Sequence, residues 1–249
     1  MRHRFIHSDI INPNHPLHPM KSGPRLLPVV LAASAAACWL PSTATAAVTW
    51  TDTWNVATAI PDDNLVGYTD TRTPSFSPGM VISKVTVTLN FSGDWNGDLY
   101  AYLTNGSGFA VLLNRPGRVV GSEDGSDTEG MSVTFDDTAL FDLHDGIDLL
   151  TGPVTGNWQP DARAVDPLTV VTGDLRTAFL ASFNGQSATA PLTLFVADVA
   201  AGSVSTLDSW SMTVSAVSAV PEPGGHLALA GLVGGGLLLR RRAGRRSRA

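Results

Sequence analysis

An all-β sandwich is the fold class the sequence predicts, and three observations carry that expectation. Apolar and polar residues alternate with period two in one stretch after another. Glycine- and asparagine-rich turns separate those stretches, and helical spacing occurs in one short segment only. Alternation of this kind sends every second side chain to one face, so each run is a strand with one core face and one wet face.

In chain order, Val48 to Ala59 reads mostly as one strand carrying Trp50 and Trp54. From Lys84 to Phe91, Val85, Val87, Leu89 and Phe91 are apolar and the residues between them polar. Leu99, Ala101 and Leu103 repeat the pattern, as do Met131, Val133 and Phe135, and then Leu192, Leu194 and Val196. Trp210, Met212 and Val214 close the series, which assigns Trp210 to the core. Turn chemistry lies between them, in Asn105-Gly106-Ser107-Gly108, Arg115-Pro116-Gly117, Asn184-Gly185 and Ala201-Gly202. Asn105-Gly106-Ser107 also matches a glycosylation sequon, although a plain turn explains it equally well. Asp174 to Phe183, with Leu175 and Phe179 four apart, is the one segment suited to a short helix. There is no internal repeat.

Both ends of the chain are read as processing signals flanking the domain. Met20-Lys21 and Arg25 precede an apolar run from Leu26 to Leu40, and Ala44-Thr45-Ala46 supplies small residues for cleavage after Ala46 or Ala47. Residues 1–47 are therefore expected to be an upstream extension plus a secretory signal peptide. Cys38 has Ala35 where a lipobox usually carries leucine, so it reads as an ordinary signal residue. At the other end, Val220-Pro221-Glu222-Pro223 precedes an apolar run from Leu227 to Leu239 and then Arg240-Arg241-Arg242. That run is broken by Gly231, Gly234, Gly235 and Gly236 and falls short of the ~20 residues of a stable span. The arginines resist crossing a bilayer, which leaves the domain on the outer side. The 220–249 tail resembles a PEP-CTERM sorting signal. The resemblance implies a precursor held briefly at the inner membrane of a Gram-negative bacterium and cut by an exosortase.

The domain between the ends, 48–219, is long enough for one proper core. It has no cysteine, so disulfides cannot hold it together. Six basic residues stand against twenty acidic ones, a net charge of −14 that the whole-chain value of −6 conceals. Such a surface repels nucleic acid and attracts cations.

An ordered series of landmarks runs through the domain. It begins with Gly97-Asp98-Leu99 and Phe109 to Leu113 with Arg115 behind, and continues with Phe135-Asp136-Asp137 and Gly156 to Asp161. Phe183-Asn184-Gly185, Leu192 to Asp198 and Asp208-Ser209-Trp210-Ser211 follow. Over about 60–217 this series resembles the P domain (P/Homo B domain) of kexin-like and furin-like proprotein convertases. The resemblance implies a jelly-roll-like β-sandwich of about eight strands, a partner of serine-type endopeptidases that itself carries no catalytic residue. No catalytic domain accompanies it in this sequence.

The chemistry of the residues points the same way. The only histidine of the domain, His144, lies in an acidic, glycine-bounded loop with no Gly-x-Ser-x-Gly elbow, and is expected to be a solvated loop residue. With no cysteine and one histidine, zinc is not expected. Calcium is the cofactor the acidic turns suit, and Asp94, Asn96 and Asp98 have the spacing of ligands from one loop. The other reading of Asp98, and of Asp198, is structural, through bonds to neighbouring backbone amides. The loop from Glu123 to Glu129 is expected to be mobile and solvated. Trp95 is the candidate ligand-facing aromatic, since a ring face suits the apolar face of a sugar, while for Trp158 the resemblance to the P domain implies a structural role under a loop.

These readings combine into an exported, exosortase-processed surface or matrix protein with a structural or binding module and no enzymatic activity. Signal peptidase and exosortase are the expected processing partners, with exopolysaccharide as the expected ligand. Two alternatives remain: an accessory domain for a co-exported serine-type endopeptidase, and a calcium-dependent carbohydrate-binding module.

Overall fold

The computed structural model describes residues 46–93 and 95–219; the signal region, Asp94 and the tail with Val220, Pro221, Glu222 and Pro223 lie outside the described residues. Among the described residues nine strands form, β1 (Val48–Ala59), β2 (Asn64–Arg72), β3 (Met80–Gly93), β4 (Leu99–Thr104), β5 (Phe109–Asn114), β6 (Met131–Phe135), β7 (Val154–Trp158), β8 (Leu192–Asp198) and β9 (Ser205–Ser218). They build a five-stranded sheet in the order β1-β9-β3-β6-β7 and a four-stranded sheet in the order β2-β8-β4-β5. Neighbours are antiparallel except β6 and β7, which run parallel with Met131 opposite Val154. With β7 set aside, the eight remaining strands have the order of a jelly roll.

Every predicted alternating run is a strand, and its apolar phase faces the core. Val85, Val87, Leu89 and Phe91 of β3 face inward with Met131, Val133 and Phe135 of β6, and with Trp210, Met212 and Val214 of β9. Leu99, Ala101 and Leu103 of β4 and Leu192, Leu194 and Val196 of β8 line the opposing sheet. Each fully buried large aliphatic contributes about 1.5–3 kcal/mol. Such close packing holds the loops at each end in fixed places. The wet face of the five-stranded sheet is a field of paired hydroxyls, including Thr51 with Thr213 at 2.9 Å and Thr88 with Thr134 at 2.8 Å.

β2 breaks the binary pattern, which is why its sequence does not announce a strand. Its inward phase is Tyr68, Asp70 and Arg72, opposite Val196, Leu194 and Leu192 of β8. The polar groups serve the tryptophan cluster. Trp210 Nε1 donates to Asp70 Oδ2 at 2.9 Å, Arg72 Nη2 pairs with the same oxygen at 2.8 Å, and the guanidinium lies 4.9 Å from the Trp54 ring centre.

The expected helix over 174–183 is replaced by extended chain and a single 3-10 turn, Leu180–Phe183. Tertiary bonds outweigh the spacing signal. Ala178 N–H donates to the Ala162 carbonyl and Val111 N–H to the Ala178 carbonyl, so the segment is drawn out beside β5. Leu175, half of the supposed apolar stripe, is 82% exposed. The one α-helical turn, α1 (Leu143–Gly146), lies where no helix is expected; the Asp142 carboxylate caps it by accepting from His144 N–H.

Candidate functional site

The predicted calcium segment sits at one end of the sandwich, between β3 and β4. Asn96–Asp98 is a 3-10 turn, entered through Trp95 at the positive φ of 29°. Trp95 is half-buried and not fully exposed. Asn96 is wholly buried; its Nδ2 donates to Thr128 Oγ1 and to the Gly130 carbonyl, while Oδ1 has no protein partner. Asp98 Oδ1 lies 3.4 Å from Arg115 Nη2. Among the described residues, no group of three or more His, Asp or Glu is gathered closely enough to hold a metal ion.

The acidic loop from Glu123 to Glu129 is not free in solvent, contrary to expectation. Its acids point outward, but Ser126 and Thr128 are buried, and Asn96 N–H and Gly97 N–H donate to the carbonyls of Thr128 and Ser126. Backbone meets backbone here. A Cβ on Gly97 would lie 2.3 Å from the Ser126 nitrogen, which explains why glycine precedes Asp98. Gly97→Ala is therefore expected to destabilise the domain by about 2 kcal/mol or more, read from the denaturant midpoint. An unchanged midpoint would contradict the close approach.

Asp98 opens β4 and Asp198 ends β8, with Leu99 opposite Asp198 in the ladder. Arg115, held at φ 50° just after β5, donates from Nε to the Gly97 carbonyl and from Nη2 to the Asp124 carbonyl. Asp62, in the turn before β2, accepts from Gly202 N–H. Burial pushes the Asp98 carboxyl up to about 6 against the pull of Arg115, and it pushes Asp198 up to about 7, helped by Asp98 and Asp62. Asp198 Oδ2 has no protein partner. Both carboxylates were candidates for structural roles from sequence. Asp62 was not among them.

His144 corrects the expectation of a solvated loop residue. It is 1% exposed. Nδ1 lies 2.7 Å from Asp161 Oδ2, and Nε2 lies 2.9 Å from the Arg118 carbonyl. Both partners are acceptors, an arrangement that favours the protonated ring, in which both nitrogens donate. Burial opposes that charge, but the hydrogen bond and negative charge of Asp161, with the Arg118 carbonyl, outweigh it and raise the pKa. The neighbouring Arg163, also 1% exposed, binds Asp142 at 2.8 Å and Asp145 at 2.9 Å, with Asp161 at 3.4 Å. Arg176 reaches Asp142 at 3.3 Å. This charged core ties the 160–178 segment to α1 and β5. No spacing rule reveals it, because its members come from three separate loops.

Raised pKa values on Asp98, Asp198 and His144 predict an inverted pH dependence of stability for this domain. A group whose pKa is raised by folding stabilises below its unfolded value and loses that contribution as pH rises through the folded one. For Asp198 the loss runs from its ordinary value of 3.8 to about 7, and for His144 it begins above 6.5. Unfolding free energy is expected to fall between pH 5 and pH 8. Asp198→Asn, a neutral isostere, should flatten that slope and stabilise the protein at pH 8. Stability that rises with pH over this range would refute the assignment.

The open surface that sequence reasoning missed is the wet face of the four-stranded sheet. Tyr102 of β4 and Phe195 of β8 stack with ring centres 4.7 Å apart and planes 16° from parallel. Phe109 of β5 stands 5.2 Å from Tyr102, and Tyr100 lies 5.8 Å from Tyr102 and 6.1 Å from Phe195. Tyr100, Tyr102 and Phe195 are half-buried and Phe109 exposed. The signal was present in the alternation itself. Leu99-Tyr100-Ala101-Tyr102-Leu103 and Leu194-Phe195-Val196 place aromatics in the polar phase, where the other sheet uses serine and threonine. Trp158, by contrast, supports a loop as expected: its ring fills the space a Gly146 side chain would need, and Nε1 donates to the Thr155 carbonyl.

No protein-family model matches the chain, and no curated protein matches it. Among solved structures, it is similar to a serine protease of Aeromonas sobria, at 20% identity and a TM-score of 0.37, over 68% of this chain and 27% of that one. It is also similar to a chain in the complex of the Aeromonas sobria serine protease with the chaperone ORF2, at 17% identity and a TM-score of 0.38, over 70% of this chain and 28% of that one. The protein thus spans under a third of the length of each of these two chains.

Proposed function

We propose that this is an exported envelope or matrix protein whose jelly-roll domain is a polysaccharide-binding module and not an enzyme. The observation that supports it best is where the chemistry lies. His144 and its acidic partners are sealed into a charged core with both imidazole nitrogens engaged, whereas aromatic rings stand on the open face of a rigid sheet. Sealed groups cannot reach a substrate; open rings can receive a ligand. The N-terminal signal and the Val220-Pro221-Glu222-Pro223 tail supply the route to the cell surface, with signal peptidase and exosortase as processing partners.

Two measurements test this. Mature protein from the envelope should lack Arg240 to Arg248 by mass spectrometry; their retention would sink the sorting reading. Purified 48–219, which holds both sheets and the whole core, should be retained on the producing organism's extracellular polysaccharide. Repeating the experiment with calcium and with a chelator separates a sheet-face mode, indifferent to calcium, from one that uses Asn96 and Asp98. Failure to bind in either condition, with a secreted peptidase co-purifying instead, would replace this reading with the accessory-domain alternative.

A further inference from the structure

Resting on that reading, we infer that the ligand-binding site is the outer face of the four-stranded sheet, and that it takes a neutral polysaccharide. Four observations converge on this face. The rings of Tyr102 and Phe195 are close to parallel and contiguous with Phe109 and Tyr100, so they form a strip across β8, β4 and β5 and not a scatter of single aromatics. Because Tyr102 and Phe195 turn a face to each other, the strip offers ring edges and phenol hydroxyls, apolar and hydrogen-bonding groups that suit the C–H faces and hydroxyl rims of a chain of sugar rings.

The strip is bordered by hydroxyls on the β2 side. Thr69 stands opposite Phe195 and Thr71 opposite Thr193, and the hydroxyls of that second pair lie 2.8 Å apart. These are donors and acceptors of the kind that sugar hydroxyls use. Charge is the third observation. The domain carries a net −14, yet the strip and its threonine border contain no charged side chain. A polyanion would be repelled by the acidic surface of the domain. A neutral chain meets no such barrier.

The fourth observation is that the strip is held in place. Gly67 sits on the bulge of β2 at φ 57°, where a Cβ would come within 2.9 Å of the Phe195 ring and 2.3 Å of the Val196 carbonyl. Glycine leaves the room that the edge of the Phe195 ring occupies beside β2. The ring is therefore pre-positioned, and less ordering is needed on binding. A second protein is the other occupant to consider, since Leu65 and Val66 of β2 stand exposed beside Gly67, and self-association is therefore among the outcomes of the test.

The test is affinity of 48–219 for a panel of neutral and uronate-bearing polysaccharides, for wild type, Tyr102→Ala, Phe195→Ala and Trp95→Ala. Wild type should favour neutral chains. Tyr102→Ala and Phe195→Ala should each weaken binding about tenfold or more, with Trp95→Ala within about twofold of wild type. Circular dichroism checks the folding of each variant, and Phe109→Ala at the edge of the strip serves if an interior variant unfolds. Binding that survives every strip variant overturns the site but spares the polysaccharide-binding reading. Preference for uronate chains overturns the ligand class. Loss of binding in Trp95→Ala alone moves the site to the end of the sandwich. No binding by wild type to any chain removes the reading and the site together, and a wild-type dimer that Tyr102→Ala dissociates assigns the strip to self-association.

Discussion

Replacing Arg163 with methionine is expected to cost about 3–5 kcal/mol, enough to unfold a large fraction of a marginally stable domain. Arg163 is the one cation that touches Asp142, Asp145 and Asp161 together. Methionine fills much of the same volume but leaves Asp142 and Asp161 buried, with Arg176 and His144 as their remaining cations. The cost therefore comes from stranded carboxylates and not from a cavity. A comparison variant separates the two causes. Arg163→Met with Asp142→Asn removes the charge stranded on Asp142 while an amide oxygen can still cap α1, and should recover part of the loss, Asp161 keeping His144 as its partner. Denaturant unfolding at pH 6 reads both variants. A single variant within about 1 kcal/mol of wild type would show that the charged core is dispensable.

Trp210→Ala is expected to lose about 3–5 kcal/mol through a different mechanism, a cavity. The side chain is fully buried on β9, 4.5 Å from Trp54 ring to ring, and donates to Asp70. Its removal empties the space between β1, β9 and β2 and leaves Asp70 with Arg72 alone. Trp210→Phe keeps most of the volume and should lose less, the difference reporting the Nε1 bond and the smaller ring. Thermal unfolding of both variants against wild type measures this. Equal losses would mean that the Nε1 bond and the lost ring volume carry the whole effect and the packing that phenylalanine keeps carries none.

The sandwich was legible because its strands obey the alternation rule with little noise. β3, β4, β6, β8 and β9 each show an apolar phase that the structure buries, and β1 runs over the span expected from Trp50 and Trp54. The rule failed where side chains do something other than pack. β2 turns Asp70 and Arg72 inward to serve indoles, so its core phase looks polar. The 174–183 segment has helical spacing, but its amides bond to Ala162 and its carbonyl to Val111.

The candidate site was half legible. Gly97, Asp98, Arg115 and Asp198 were visible as landmarks, and the structure explains their company: glycine for a backbone contact, arginine between carboxylates. The burial of His144 was invisible, because acidic neighbours in sequence resemble a wet loop, whereas in space they are counter-ions. The aromatic strip was readable in principle. Tyr100, Tyr102 and Phe195 occupy the phase of their strands that should be polar, and a large ring in a wet phase marks a surface with a use.

The measurement that bears most directly on the account is an amide NMR titration of 48–219 with soluble fragments of the producing organism's neutral polysaccharide, without calcium. The account predicts saturable shifts confined to Tyr100–Thr104, Thr193–Ala197 and the β2 residues beside them, with the Asn96–Asp98 turn unmoved. Shifts centred on Trp95 and Asp98, or no shifts at fragment concentrations that saturate whole-polymer binding, would contradict it.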